Sequence, residues 1–144
     1  MSVAGNVIRL DCPSHFDILD LVQVVTDQLG CVGGLDGDLT HWIGIAVRES
    51  VINAIKHGNN EDHSKRVVVE CRLEPLAKPT TLVVRVVDQG VGFDPVEIAD
   101  PLAPENLLKS SGRGIFFMRS FMDDLTLQRA PEGGMEVRMV KKLV

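Results

Sequence analysis

Apolar residues recur along this chain at two different intervals, and the change from one to the other limits the folds open to it. Ile18, Val22, Val25 and Leu29, and then Ile43, Val47, Val51 and Ala54, are spaced by three or four. That spacing puts each set on one face of a helix. From Val67 the interval becomes two: Val67, Val69, Cys71 and Leu73 alternate with Val68, Glu70 and Arg72, and Leu82, Val84 and Val86 continue the pattern. Alternation of this kind marks strands with one buried face.

Boundary signals complete the elements. Asn6 to Asp11 reads as a first strand, and Ser14 with Asp17 gives an S-x-x-D start for the first helix. The second helix is expected from near Asp38 to His57, where Gly58 supplies a stop. Pro75 to Thr80 turns between two strands, and Leu125 to Arg129 pairs with Met135 to Val140 through Pro131, Gly133 and Gly134. Helices with one apolar stripe and strands that alternate favour an α+β fold. The expected form is a two-layer α/β sandwich, a mixed but mostly antiparallel sheet with helices on one face.

With 144 residues, 44% of them hydrophobic, the chain is long enough for one cored domain over residues 1–144 and too short for two. It has no apolar run near the roughly 20 residues that span a bilayer and no signal-type start, so a cytoplasmic protein without a membrane partner is expected. Cys12, Cys31 and Cys71 are scattered and odd in number, which suits reduced thiols. A net charge of −5 without a basic cluster argues against direct nucleic-acid binding. Any role in transcription would run through a protein.

Three motifs then follow in order: R-E-S-V-I-N-A-I-K-H-G-N-N from Arg48, V-D-Q-G-V-G-F-D from Val87, and S-G-R-G-I-F-F-M-R from Ser111. Glu49 and Asn53 lie four apart on a helix, about 5–6 Å between Cβ atoms, and so can address one ligand. Trp42 and Ala46 continue that face. An amide oxygen suits Mg²⁺, and a carboxylate one turn away can take a proton from an attacking hydroxyl. Asp88, followed by Gly90 and Gly92, offers an acceptor at a sharp turn that can approach a flat base. Gly112 and Gly114 open a helix whose free N–H groups favour phosphate, with Lys109 and Arg113 nearby. Each motif alone has a plainer reading: a solvated helix face, a D-x-G turn, a loop with solvated cations. Their order and spacing together point to Mg-ATP.

In that order the motifs resemble those of the GHKL, or Bergerat-fold, ATPases. The length and the G-R-G-I-F-F-M-R-S-F-M-D-D-L segment are most similar to the stand-alone anti-sigma-factor serine/threonine kinases. The resemblance implies a histidine-kinase-like ATPase fold, with Asp88 selecting adenine and a flexible lid over about residues 93–111. It implies ATP and Mg²⁺ as ligands, a STAS-domain antagonist as substrate, a sigma factor as second partner, and a homodimer. A non-catalytic ATP/ADP-binding interaction module is the alternative. His57 ends the long helix beside Gly58 and is read as interacting with the terminal carbonyls, not as a phosphoacceptor. No dimerisation helix with an acceptor His precedes it, so a complete histidine kinase is not expected. One departure stands out: where the family commonly has a Thr after the Gly of the final hairpin, supporting the Asp, Met135 follows Gly134. Thr80, Thr81, Thr126 or a water are candidate replacements.

Overall fold

The computed structural model describes residues 7–74, 80–90 and 119–143. Strand β1 (Val7–Pro13) is followed by helices α1 (Ile18–Val32) and α2 (Gly37–Asn53), then by β2 (Arg66–Glu74), β3 (Thr81–Val87), β4 (Asp124–Arg129) and β5 (Met135–Lys142). The sheet order is β1-β2-β3-β5-β4, and all four pairings are antiparallel. The expected α+β architecture is present.

Register places the alternating residues as the period-two pattern requires. Cys71 lies opposite Val84, Val69 opposite Val86, and Val84 opposite Met139, so one sheet face is apolar across its middle strands. That face packs on Ile18, Val22 and Leu29 of α1 and on Ile43, Val47 and Val51 of α2. A fully buried Val or Ile at each of these positions contributes about 2 kcal/mol by removal from water. The other face carries Val68, Val83, Val87 and Val140 beside charged residues: Arg9 Nη1 donates to Glu70 Oε1 at 2.8 Å, and Arg85 Nη1 reaches Glu70 Oε2 at 3.3 Å, so charges run across β1, β2 and β3.

Two helix boundaries differ from the sequence reading. The Ser14/Asp17 signal is not a capping box. Asp17 makes no side-chain cap bond, and the first donors are instead taken by main chain, Ile18 N–H to His15 O at 3.2 Å and Leu19 N–H to Phe16 O at 3.1 Å. Ser14 is fully buried and used elsewhere. Helix α2 starts at Gly37, because Asp36 accepts the Leu39 N–H at 2.7 Å. It does not run as an α-helix to His57. After Asn53 the chain widens into a π-turn over Ala54–Gly58, closed by Asn59 N–H to Ala54 O at 2.8 Å. Single π-turns of this kind are frequent at functional sites.

Candidate functional site

Glu49 and Asn53 occupy the last turn of α2. The helix turns Val47 and Val51 into the core with no exposure, which leaves the Glu49/Asn53 face half-buried at its margin. Among the described residues neither side chain has a hydrogen bond or ion pair. Trp42 and Ala46 lie farther back on the same face. Ala46 is fully buried, and Trp42 stacks on Phe121 with centroids 4.8 Å apart and planes at 13°. Residues 119–121 are helical, so the chain just beyond the third motif lies against α2.

The π-turn leads from Asn53 to Gly58, and there the first and second motifs meet. A methyl group on Gly58 would overlap the Asp88 carboxylate at Oδ2; one on Gly90 would overlap the Gly58 carbonyl oxygen; one on Gly134 would overlap the Asp88 carbonyl oxygen. Three glycines thus pack main chain directly around Asp88, leaving its carboxylate in a cleft that any larger residue would fill. Gly58 was read from the sequence as a helix stop, and Gly134 as part of a hairpin turn. Their closer task is contact with Asp88.

Asp88 is buried, with 5% of its surface exposed. Its Oδ1 accepts the Gly90 N–H at 2.9 Å and the Met135 N–H at 3.1 Å. Its Oδ2 has no hydrogen-bond partner among the described residues, so it remains an acceptor for an amino group. The Met135 departure is thereby explained in part: the final hairpin supports Asp88 through main chain, which no side chain at 135 need supply. Thr80 and Thr81 lie at the opposite end of β3 and Thr126 lies opposite Arg138, so none of these threonines replaces the missing one.

Burial pushes the Asp88 carboxyl above its ordinary value, and the N–H groups of Met135 and Gly90 pull it partly back. The native state therefore holds this proton more tightly than the unfolded chain does, and stability falls as pH rises from about 3.8 through the higher native value. Asp88→Asn keeps an acceptor for both N–H groups and removes the buried charge. It should raise the thermal midpoint near neutral pH by about 2–5 °C and flatten that part of the pH–stability curve, as thermal unfolding at a series of pH values would read.

Asn59 follows Gly58 at the end of the first motif, and the sequence assigns it no role. It is fully buried. Its Nδ2 donates to Ser14 Oγ at 3.2 Å and to Arg66 O at 3.0 Å, and its Oδ1 accepts the Gln89 N–H at 2.8 Å. One amide thus ties the end of the π-turn to the start of β2, to the β1–α1 junction and to the residue after Asp88. Gln89 adds a link of its own, its Oε1 accepting the Arg66 N–H at 2.6 Å. Asn59→Ala should cost about 3 kcal/mol in chemical denaturation, because it leaves a buried N–H and C=O unpaired and opens a void. The Asn59-Asn60 doublet after Gly58 was the available signal, but two of the three partners of Asn59 are 30 and 45 residues away.

His57 is exposed in the π-turn. Gly92, Lys109, Gly112, Arg113 and Gly114, with the expected lid over about 93–111, lie outside the described residues. Among the described residues no cluster of three His, Cys, Asp or Glu side chains is able to hold a metal, and no helix is long and apolar enough to cross a membrane.

Residues 17–141 match the histidine kinase-like ATPase domain family. The chain is 36% identical over 105 residues to the anti-sigma F factor of Bacillus velezensis, covering 70% of this chain and 68% of that one. It is 38% identical over 106 residues to the anti-sigma F factor of Oceanobacillus iheyensis, with the same coverage. Against the serine-protein kinase RsbW of Staphylococcus epidermidis it is 26% identical over 147 aligned positions, covering 98% and 89% of the two chains. The fold is similar to that of a histidine kinase domain from the blue-light activated histidine kinase of Erythrobacter litoralis, at a TM-score of 0.53 and 19% identity. That likeness covers 91% of this chain and 61% of the other. With motifs, fold and relatives in agreement, the chain belongs to the histidine kinase-like ATPase domain family, of the GHKL type, on the branch that includes the anti-sigma-factor kinases.

Proposed function

We propose that this protein is an ATP-dependent serine/threonine protein kinase that acts as an anti-sigma factor by partner switching. It phosphorylates a STAS-domain antagonist and, when free of it, holds a sigma factor inactive, working as a single-domain homodimer in the cytoplasm. The observation that carries the reading is the pair Glu49 and Asn53, half-buried on one turn of α2 with no hydrogen-bond or ion-pair partner among the described residues, on the helix whose π-turn runs into the Asp88 cleft.

Asp88 Oδ2 accepts the adenine amino hydrogen, with Gly90 and Gly92 shaping the base pocket. Asn53 would hold Mg²⁺ through its amide oxygen, and the ion would supply neutralisation of phosphate charge. Gly112 and Gly114 present N–H groups to the phosphates, and Lys109 and Arg113 add positive charge. Glu49 accepts the proton of the antagonist's hydroxyl as that oxygen bonds to the γ-phosphorus. The bond from phosphorus to the bridging oxygen breaks, and ADP leaves with the electron pair.

Phosphorylation adds a charge near −2 to a packed interface, which favours release of the antagonist. The deciding experiment incubates the protein with γ-labelled ATP and purified candidate STAS-domain proteins. Label on a Ser or Thr of one of them is the expected result. Nucleotide binding without transfer to any would instead make this a non-catalytic binding module.

A further inference from the structure

We propose that Arg85, on the sheet face away from the helices, is a positioning residue for the base pocket, acting on Asp88 through the β4–β5 turn. The inference rests on the reading of Asp88 as the adenine acceptor. Arg85 gathers three carboxylates. Its Nη2 donates to Glu132 Oε1 at 2.6 Å and Oε2 at 2.9 Å, its Nε donates to Glu136 Oε1, and its Nη1 reaches Glu70 Oε2 at 3.3 Å. Register sets it opposite Glu70 on one side and Arg138 on the other.

The first two partners lie on either side of the residues that touch Asp88. Glu132 precedes Gly134 by two positions and Glu136 follows Met135 directly. Between them, Met135 N–H donates to Asp88 Oδ1 at 3.1 Å and Met135 O accepts the Asp88 N–H at 3.0 Å. The turn that leads into Met135 contains two consecutive glycines at positive φ, +96° and +77°. Such a turn has many accessible conformations, so its own backbone selects the native one weakly. Its internal bonds, Gly133 N–H to Ala130 O and Ala130 N–H to Gly134 O, both at 3.0 Å, close the loop, and the β3–β5 ladder seats Met135, which leaves the fixing of the glycine turn itself to side chains.

The Arg85 fork supplies that fixing. Glu136 has 5% of its side chain exposed and also accepts from Gln128, and the planar guanidinium spans both acids at once. A plain surface ion pair would contribute little. Here the bonded acids are the two ends of the segment that presents an N–H to the base-reading carboxylate, so the ion pairs set where Asp88 Oδ1 is held and how Oδ2 is aimed.

The test compares calorimetric affinities for ADP and for inosine diphosphate, which lacks the exocyclic amine, in wild type, Arg85→Met, Glu132→Ala, Arg85→Lys and Asp88→Asn. Arg85→Met and Glu132→Ala should each cut the preference for ADP about ten-fold, the size of one charge-assisted hydrogen bond. The two losses should be less than additive when combined, because the residues act as one unit. Arg85→Lys should recover only part of the preference, since an ammonium cannot bridge the acids as a planar fork does.

An unchanged preference in Glu132→Ala, whose side chain is 47% exposed, would overturn the proposal even if Arg85→Met failed to fold. A lowered melting temperature with intact preference in both would also overturn it and leave Arg85 as a strut. If wild type shows no preference, or Asp88→Asn does not change it, the reading of Asp88 fails, and this inference fails with it.

Discussion

Glu49→Ala is expected to lower phosphoryl transfer by about 10³-fold while changing nucleotide affinity by no more than about two-fold. The carboxylate sits one helical turn from Asn53, on the half-buried margin of α2, and has no hydrogen bond or ion pair among the described residues. Removing it therefore breaks no hydrogen bond or ion pair among the described residues, and the fold should change little. A group that accepts a proton only as the new bond forms contributes to the transition state and not to ground-state binding, so its loss appears in the transfer rate alone. Glu49→Gln is the stringent companion: it keeps the shape and cannot take the proton at neutral pH. Labelled transfer to the antagonist, measured beside calorimetric ADP binding, separates the two quantities. Residual transfer above about a tenth of wild type would remove Glu49 from the role of base.

Gly134→Ala should be the most damaging single methyl in the described part of the chain. Gly134 has φ +77°, where an L side chain already costs about 1 kcal/mol or more, and the added carbon would overlap the Asp88 carbonyl oxygen. That carbonyl belongs to main chain held by its neighbour's register, with the Asp88 N–H bonded to Met135 O at 3.0 Å, so it cannot step aside without parting β3 from β5. Gly58 differs, because there the methyl would meet the Asp88 side chain, whose displacement would break its hydrogen bonds to Gly90 and Met135 and spoil its aim without parting the strands. We expect Gly134→Ala to lose about 3 kcal/mol or more in denaturant unfolding and to bind ADP too weakly for calorimetry. Gly58→Ala should spare more of the stability and still lose the nucleotide. If Gly134→Ala unfolded like wild type, the close packing of the hairpin on Asp88 would be refuted.

What the sequence made legible was whatever repeats locally. Val67, Val69, Cys71 and Leu73 announce their strand through period two, and Ile43, Val47 and Val51 their helix through period 3.6, because each pattern is written within one element. Glu49, Asn53, Asp88 and Gly90 stand out in the same local way, as short motifs, and the structure brings Asp88 and Gly90 together at one cleft. Ser14 was misread because S-x-x-D is a local signal, whereas its actual partner, Asn59, is 45 residues away. The π-turn was missed because an extra residue in a helix leaves the apolar pattern before it unchanged. In the sequence Arg85 is one polar position between Val84 and Val86; only the folded sheet brings Glu70, Glu132 and Glu136 to it. Long-range polar pairing leaves no periodic trace.

Trp42 is the only tryptophan in the chain, and there is no tyrosine. Its stacking on Phe121, together with the edge contact from His41 at 5.2 Å, gives the molecule a built-in optical reporter. Emission excited at the red edge of the protein band comes from one indole, and its intensity and wavelength depend on whether that stack is closed. Because Phe121 follows the glycine motif by a short run of sequence, nucleotide engaged at that motif is expected to change the emission, which a titration in cuvette or stopped flow would read without a label. The kinetics of engagement are thereby accessible in the unmodified protein.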